Sequence, residues 1–525
     1  MTLSKEEILN LIKPIKIAKI LEAKKNENSD HLQVTQINAG DLTAQVVTGA
    51  SNFKEGDLVP YLAPGFTVPG FIFARNETIV LEKRKLRGYE SEGMLLAEDE
   101  IGLGENHEGL MILDLDKLGL TEGEAIGKSI LDILSAEQMN TLFKNAGYVE
   151  VTPEIQAKIN ILKSIAENGG ELVGEDELAV IFASGEPLFT YDGFEPSGQM
   201  HIAQGIIRAI NTNKMIDAGF TFRMWVADWF GYLNNKMGGD LEKIQKVGQY
   251  FIEIWKASGM NTEHVEFLWT SDFVGKREYW ETVMKVSKSA SLKRILRTTE
   301  IMGRSEMDDL SGAQILYPCM QVTDIFQVMK CQVTQLGLDQ RKVNMLAREV
   351  GPELGYWKPV VLSHGMLQGL GKPLSDSADA EERAISMKMS KSKPDTAIFM
   401  TDTAEDVARK INNAYCPEGE VKDNPILDYC RQIIFQAQYL KRATPLLVDG
   451  KFNIEREEKF GGNVSYSTYA ELEADFVEKK LFPLDLKVAV VKAINDLLDP
   501  VRKHFQEDEF AKNLLEEIKG FQVTR

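Results

Sequence analysis

The sequence predicts an α/β protein: a doubly wound parallel sheet, preceded by a small β-barrel and followed by a helical C-terminal region. Three observations carry this. Short strand-like runs with glycine at their corners fill residues 15–115, strands alternate with helices after Glu177, and strands fade beyond about residue 400. At 525 residues the chain exceeds one ordinary core, so two to four domains are expected.

The elements follow in order. Residues 1–13 pattern as a short amphipathic helix, with Leu3, Ile8, Leu9 and Ile12 near one stripe and Pro14 ending it. Ile15–Leu21 and Leu32–Ile37 alternate as strands, and Gln45–Val47 follows the Asn38-Ala39-Gly40-Asp41 turn. Leu58–Leu62 precedes a Pro/Gly stretch, which completes the pattern of a small barrel. From Ser135 to Glu167 the period is helical. Leu188–Tyr191, Phe222–Ala227 and Val265–Trp269 read as strands. Helices are expected over Ile202–Met215 and from the N-cap Asp240 to about Ser258. The C-terminal helices are placed at Thr403–Asn413, Ile426–Gln438, Tyr469–Lys480 and Asp485–Gln506.

Composition excludes several classes. Hydrophobic content of 43% with 26% charged residues is ordinary for a soluble chain, and no apolar run is long enough to span a bilayer. The first thirty residues lack a signal-peptide core, and Cys319, Cys331, Cys416 and Cys430 are scattered without metal-ligand spacing. A cytoplasmic protein without structural zinc or another protein-held metal is expected. A net charge of −19 opposes non-specific coating of nucleic acid, but local basic patches can still release counterions. Lys83–Arg87, Lys285–Arg297 and Arg341-Lys342 are such patches, though each alone is commonly a solvated face.

Two segments carry chemistry. Gly193-Phe194-Glu195-Pro196-Ser197-Gly198-Gln199-Met200-His201 leads from a strand through a tight loop to a helix start, where unpaired N–H groups favour phosphate. Alone, His201 would read as a helix cap. Lys388-Met389-Ser390-Lys391-Ser392 places two cations on a loop able to close over a triphosphate; alone, such a run is usually a solvated loop. Tyr317, Gln321 and Asp324, at i, i+4 and i+7, share one helix face beside apolar Pro318, Met320 and Val322, as either a pocket wall or an ordinary amphipathic helix.

These segments resemble the two ATP-binding motifs of class I aminoacyl-tRNA synthetases, and their flanks resemble the tyrosyl family of archaeal/eukaryotic type. The resemblance implies a Rossmann-like catalytic domain that activates tyrosine with ATP and transfers it to tRNA(Tyr). It implies His201, Lys388 and Lys391 as catalytic groups. It implies ATP contacts from Gly193, Pro196, Ser197, Gly198, Gly205, Met389, Ser390 and Ser392, with Mg²⁺ carried by the phosphates. Tyr191 and Asp324 would bind the substrate phenol, while Tyr317, Gln321 and Gln340 would hold its amino group, with Glu195 nearby. The first motif departs from the family's His-Ile-Gly-His at Ala203 and Gln204, and residues 373–383 form an acidic insertion before the second.

Phe460, Phe482 and Asp485 resemble the family's anticodon-reading positions; Asp485 also suits a helix N-cap. Val47–Asn52, Leu62–Gly65, Lys85–Leu95 and Gly102–Gly104 resemble the OB-fold tRNA-binding domain at the start of bacterial phenylalanyl-tRNA synthetase β subunits, with Lys83, Lys85 and Arg87 as phosphate contacts. The expected domains are therefore 1–130 (OB fold), 131–178 (helical lead-in), 179–399 (catalytic) and 400–525 (helical, anticodon-binding). A homodimer through residues 275–316 is implied by the family. Two rival readings are a small-molecule nucleotidyltransferase and a catalytically retired scaffold that binds tRNA. The intact second motif and pocket oppose the latter, and the helical and barrel regions oppose the former.

Overall fold

The computed structural model describes residues 3–75, 77–104, 106–115, 119–302, 309–373, 389, 394–443 and 445–521. The chain divides into two compact units, Met1–Thr152 with Phe182–Ser184, and Pro153–Ile181 with Gly185–Arg525.

In the first unit, helix Lys5–Ile12 starts at Ser4, which accepts from the Glu7 N–H while Glu7 accepts from the Ser4 N–H at 2.8 Å. Five antiparallel strands follow in the sheet order β3-β2-β1-β4-β7: β1 (Lys16–Lys25), β2 (Gln33–Asn38), β3 (Thr43–Thr48), β4 (Leu58–Leu62) and β7 (Met94–Leu95). β1 serves two partners. Its first half pairs with β4 and its second with β2, and the register slips between Ile20 and Glu22. That bulge bends the strand, as a curling sheet requires. The far edge returns on itself, because Glu92 N–H donates to the Gln45 carbonyl at 2.8 Å and Val47 N–H to Ser91 Oγ at 3.1 Å. A nearly closed barrel results. Between β4 and β7, β5 (Arg84–Leu86) and β6 (Tyr89–Ser91) form a hairpin whose turn, Arg87-Gly88, has both φ angles positive (47° and 96°). This is the tight two-residue hairpin turn, in which Arg87 tolerates the left-handed backbone and Gly88 prefers it.

The second unit is built on β8 (Glu171–Val173), β9 (Phe189–Phe194), β10 (Thr221–Val226), β11 (Val265–Trp269), β12 (Val333–Gly337) and β13 (Val360–His364), in the order β11-β10-β9-β12-β13-β8. All pair in parallel except β8, an antiparallel edge. The order runs outward one way from β9 to β11 and the other way through β12, so the reversal lies between β9 and β12. Pairing there covers only Thr190 and Tyr191 against Val333 and Thr334. Beyond Tyr191 the two strands part, and the parting opens a cleft at their C-terminal ends, where doubly wound sheets bind ligands.

The expected elements largely form, with four corrections. The helix after His201 begins as a π-turn, Ala203–Ile207, before becoming α-helical at Arg208–Asp217. The Ile426–Gln438 helix divides into Pro425–Gln432 and a 3₁₀ stretch, Ile434–Tyr439. The strand-poor region beyond 400 contains a two-stranded ribbon, Phe452–Ile454 with Val464–Tyr466. The long C-terminal helix spans Pro483–Glu507 and is capped by Phe482, with Pro483 at its first position. Asp485 is therefore a first-turn residue rather than the N-cap; proline's fixed φ and missing N–H make Pro483 the natural entry. Among the described residues no helix is long and apolar enough to cross a membrane.

Candidate active site

The cleft where β9 and β12 part holds a cavity of about 330 Å³, within the range of small-molecule sites. Its walls come from the ends of four strands, the π-turn and the Gly312–Thr323 helix. That helix starts at Ser311 through a capping box with Gln314 and continues past Pro318 into a π-turn at Asp324–Val328.

At one end of the cavity lies a buried polar set. Tyr317 Oη donates to Glu195 Oε1 at 2.6 Å, and Asn234 Nδ2 reaches both Glu195 oxygens at 3.1 Å. Lys236 Nζ stands 3.4 Å from Glu195 Oε2, and Gln321 Nε2 donates to Gln340 Oε1 at 3.3 Å. Tyr191, Glu195, Tyr317, Gln321 and Gln340 all line the cavity. Asp324 lies deeper and is fully buried, accepting from Tyr279 Oη at 2.8 Å. Burial pushes its carboxyl well above the usual carboxylate range, against the pull of the Tyr279 and Trp225 donors. Burial likewise lifts the Tyr191 phenol, aided by Cys331 and Asp324 and opposed by the Gln321 side chain. Neither the Tyr191 hydroxyl nor Asp324 Oδ2 completes a well-formed hydrogen bond among the described residues. Two buried polar atoms left so are acceptable when a ligand's hydroxyl satisfies them.

The other wall suits a nucleotide. His201, the residue before the helix, accepts from Gln204 N–H and Gly205 N–H through its carbonyl, at 3.0 and 3.1 Å. His201, Ser197 and Gly193 line the cavity, as do Ala203 and Gln204, the two departures from the family motif. Pro196 and Gly198 shape the loop behind, Gly198 with φ +63°. Gly205 does not line the cavity: a Cβ there would stand 2.2 Å from Met400 Sδ, so this glycine admits Met400 against the π-turn. Of the second motif only Met389 is described, and it lines the cavity; Lys388, Ser390, Lys391 and Ser392, with most of the 373–383 insertion, lie outside the described residues.

Sequence reasoning missed several groups. Arg208 grips buried Asp192 through two nitrogens at 2.5 and 3.1 Å, and Asp192 in turn accepts from Gly193 N–H. His364, at the end of β13, meets Gln335 Nε2 at 2.8 Å through Nδ1; burial and the Arg208 charge hold its pKa at about 3, so the imidazole stays neutral. Tyr279, Asn234 and Lys236 come from remote segments. The Asn235-Lys236-Met237-Gly238-Gly239 run, with positive φ at Asn235, Met237 and both glycines, was the available signal of a tight turn there. Among the described residues no group of three or more His, Cys, Asp or Glu side chains is placed to hold a metal ion.

The nucleic-acid candidates are far apart in sequence. Lys83 pairs with Glu92 at 2.5 Å, Lys85 is exposed on β5, and Arg87 forms the hairpin turn. Phe460 and Phe482 are exposed (53% and 45%), and Asp485 lies in the first turn of the long helix.

A family model described as tRNA synthetases class I (W and Y) matches residues 183–499, and one described as a putative tRNA binding domain matches residues 15–119. The chain is 47% identical over 379 residues to tyrosine–tRNA ligase 1, cytoplasmic, of Arabidopsis thaliana, covering 72% of this chain and 91% of that protein. It is 40% identical over 390 residues to the tyrosine–tRNA ligase of Thermococcus kodakarensis, covering 71% and 100%. The crystal structure of tyrosyl-tRNA synthetase complexed with L-tyrosine from Pyrococcus horikoshii superposes with a TM-score of 0.63 at 35% identity, over 69% of this chain and 99% of that one.

Proposed function

The chain belongs to the class I tRNA synthetases of the tryptophan and tyrosine group, and on that premise we propose that its cleft activates tyrosine with ATP and transfers it to tRNA(Tyr). The observation that supports tyrosine is the pair of buried oxygens, Tyr191 Oη and Asp324 Oδ2, that complete no well-formed hydrogen bond among the described residues. A phenol hydroxyl can donate to one and accept from the other. Tyr317, Gln321, Gln340 and Glu195 form the polar end that receives the amino group.

In the first step a tyrosine carboxylate oxygen attacks the ATP α-phosphorus, the bond to the β-phosphate bridge breaks, and pyrophosphate leaves. His201 at the helix start, with Lys388 and Lys391, stabilises the charge that develops on the phosphates. Gly193, Ser197 and the loop of Pro196 and Gly198 give the nucleotide close approach, and Met389 borders the same space. Gly205 supports the site by admitting Met400. Mg²⁺ arrives on the triphosphate. In the second step a terminal ribose hydroxyl of the tRNA attacks the activated carbonyl, and AMP leaves.

Residues 1–130 are read as an OB-type module binding the tRNA through Lys83, Lys85 and Arg87, 131–178 as a lead-in, 179–399 as the catalytic domain, and 400–525 as the reader of the anticodon through Phe460, Phe482 and Asp485. The family match to a putative tRNA binding domain and the exposure of both phenylalanines support this. Two copies are proposed to pair through residues 275–316, where Trp280, Met284 and Leu292 are exposed (37%, 49% and 59%). The free cysteines suit a reducing cytoplasm. The test is charging: tRNA(Tyr) with ATP and tyrosine should yield tyrosyl-tRNA, and an unchanged acceptor end would overturn the reading.

A further inference from the structure

The helix start at His201 is held by a strand-like segment that lies far along the chain. His201 and Phe399 form an antiparallel bridge, in which Ile202 N–H donates to the Ile398 carbonyl at 2.8 Å and Met400 N–H to the Met200 carbonyl at 2.9 Å. Beyond the turn bonds from Asp402 N–H to the Phe399 carbonyl at 3.1 Å and from Ala397 N–H to the Pro394 carbonyl at 3.3 Å, a side chain fixes it. The fixing group is Asp402. Its Oδ2 accepts from Phe399 N–H at 2.8 Å and from Lys410 Nζ at 2.6 Å, and the two side chains are only 11% and 4% exposed. Lys410 Nζ also donates to the Ala397 carbonyl at 3.0 Å and sits 4.9 Å from the Phe399 ring centre. From another direction Arg502 Nε donates to the Asp402 carbonyl at 2.7 Å while its Nη2 donates to Asn495 Oδ1 at 2.7 Å.

A buried lysine that bonds one carboxylate and one carbonyl on the same short segment does more than fill space. It fixes residues 397–402 as a rigid turn, and the bridge passes that geometry to His201. We propose that Lys410 is a positioning residue for activation: through Asp402 and the Phe399 backbone it sets where His201 and the π-turn stand against the phosphates of ATP. Arg502 ties the same joint to the Pro483–Glu507 helix, whose N-terminal end, with Phe482 as cap and Asp485 in the first turn, lies about 25–30 Å along the helix from Arg502 at 1.5 Å per residue. The inference rests on the role given to His201 above.

The test is tyrosine-dependent ATP–pyrophosphate exchange with Lys410→Met, with the double variant Asp402→Asn/Lys410→Met, and with His201→Ala. The double variant leaves no stranded charge, while Asn still accepts from Phe399 N–H, so it stays informative if the single variant fails to fold. Both Lys410 variants should lose about 10- to 100-fold in kcat/KM for ATP, the scale of a small misplacement of catalytic groups. The KM for tyrosine should stay within about threefold, since its pocket is untouched. A merely structural pair would lower Tm without this split. A folded double variant with parental ATP kinetics, or an equal loss for ATP and tyrosine, overturns the proposal. If His201→Ala itself keeps full exchange, the assignment of His201 has failed instead.

Discussion

Replacing Tyr191 by phenylalanine separates stability from recognition. The hydroxyl is buried and completes no well-formed hydrogen bond among the described residues, so the fold gains little from it beyond a weak approach of Gln321. An unsatisfied buried polar group costs about 1–3 kcal/mol, so Tyr191→Phe should melt at or above the parent's temperature. The ring still fills its place between β9 and the pocket, so no cavity forms. Bound tyrosine, however, loses one neutral hydrogen bond, worth about 0.5–1.5 kcal/mol, or roughly 2- to 13-fold in affinity. The assay is pyrophosphate exchange across a tyrosine titration, with a thermal melt alongside. The KM for tyrosine should rise by that factor, and selectivity over phenylalanine should fall by at least as much. A variant that is clearly destabilised yet binds tyrosine normally would refute the reasoning, since the hydroxyl would then serve the fold.

Other outcomes follow from the same geometry. Burial raises the Asp324 pKa above its ordinary 3.8, so the folded chain favours its protonated form. The stability this group lends is full below 3.8 and lost as pH rises through the higher folded value. The Tm of the parent minus that of Asp324→Asn should therefore decline with rising pH, and a difference that grows would contradict the shift. Gly205→Ala forces a Cβ against buried Met400 and should cost about 1–3 kcal/mol, read as a lowered Tm together with slower exchange. Lys391→Ala should slow adenylate formation far more than it weakens tyrosine binding, measured by single-turnover kinetics; equal losses would remove its proposed role.

Much of the fold was legible because its signals are local. Alternation marked β1 and β2, turn residues flanked β3 and β4, and Val265–Trp269 formed the strand expected, residue for residue. Asp240 caps Leu241–Ala257 as its side chain predicts, accepting from Lys243 N–H at 3.2 Å. The π-turn after His201 was not legible in the local sequence, and the Met400 side chain that packs on its Gly205 comes from about two hundred residues away. The start of the last helix was misread for a simpler reason: Asp485 caps well in isolation, but Pro483 claims the first turn. Within the cleft, Tyr191, Glu195, Tyr317, Gln321 and Gln340 could be named because the segments that carry them resemble the tyrosyl family. Tyr279 could not, since only tertiary packing brings it to Asp324; neither could His364, whose neutral state depends on burial beside Arg208.

The central claim is that this cleft activates tyrosine. ATP–pyrophosphate exchange, run separately with tyrosine, phenylalanine and tryptophan, tests it most directly. Exchange supported by tyrosine alone is the expected result. Exchange with none of the three would contradict catalysis and favour a scaffold that binds tRNA, and exchange with tryptophan would contradict the roles given to Tyr191 and Asp324.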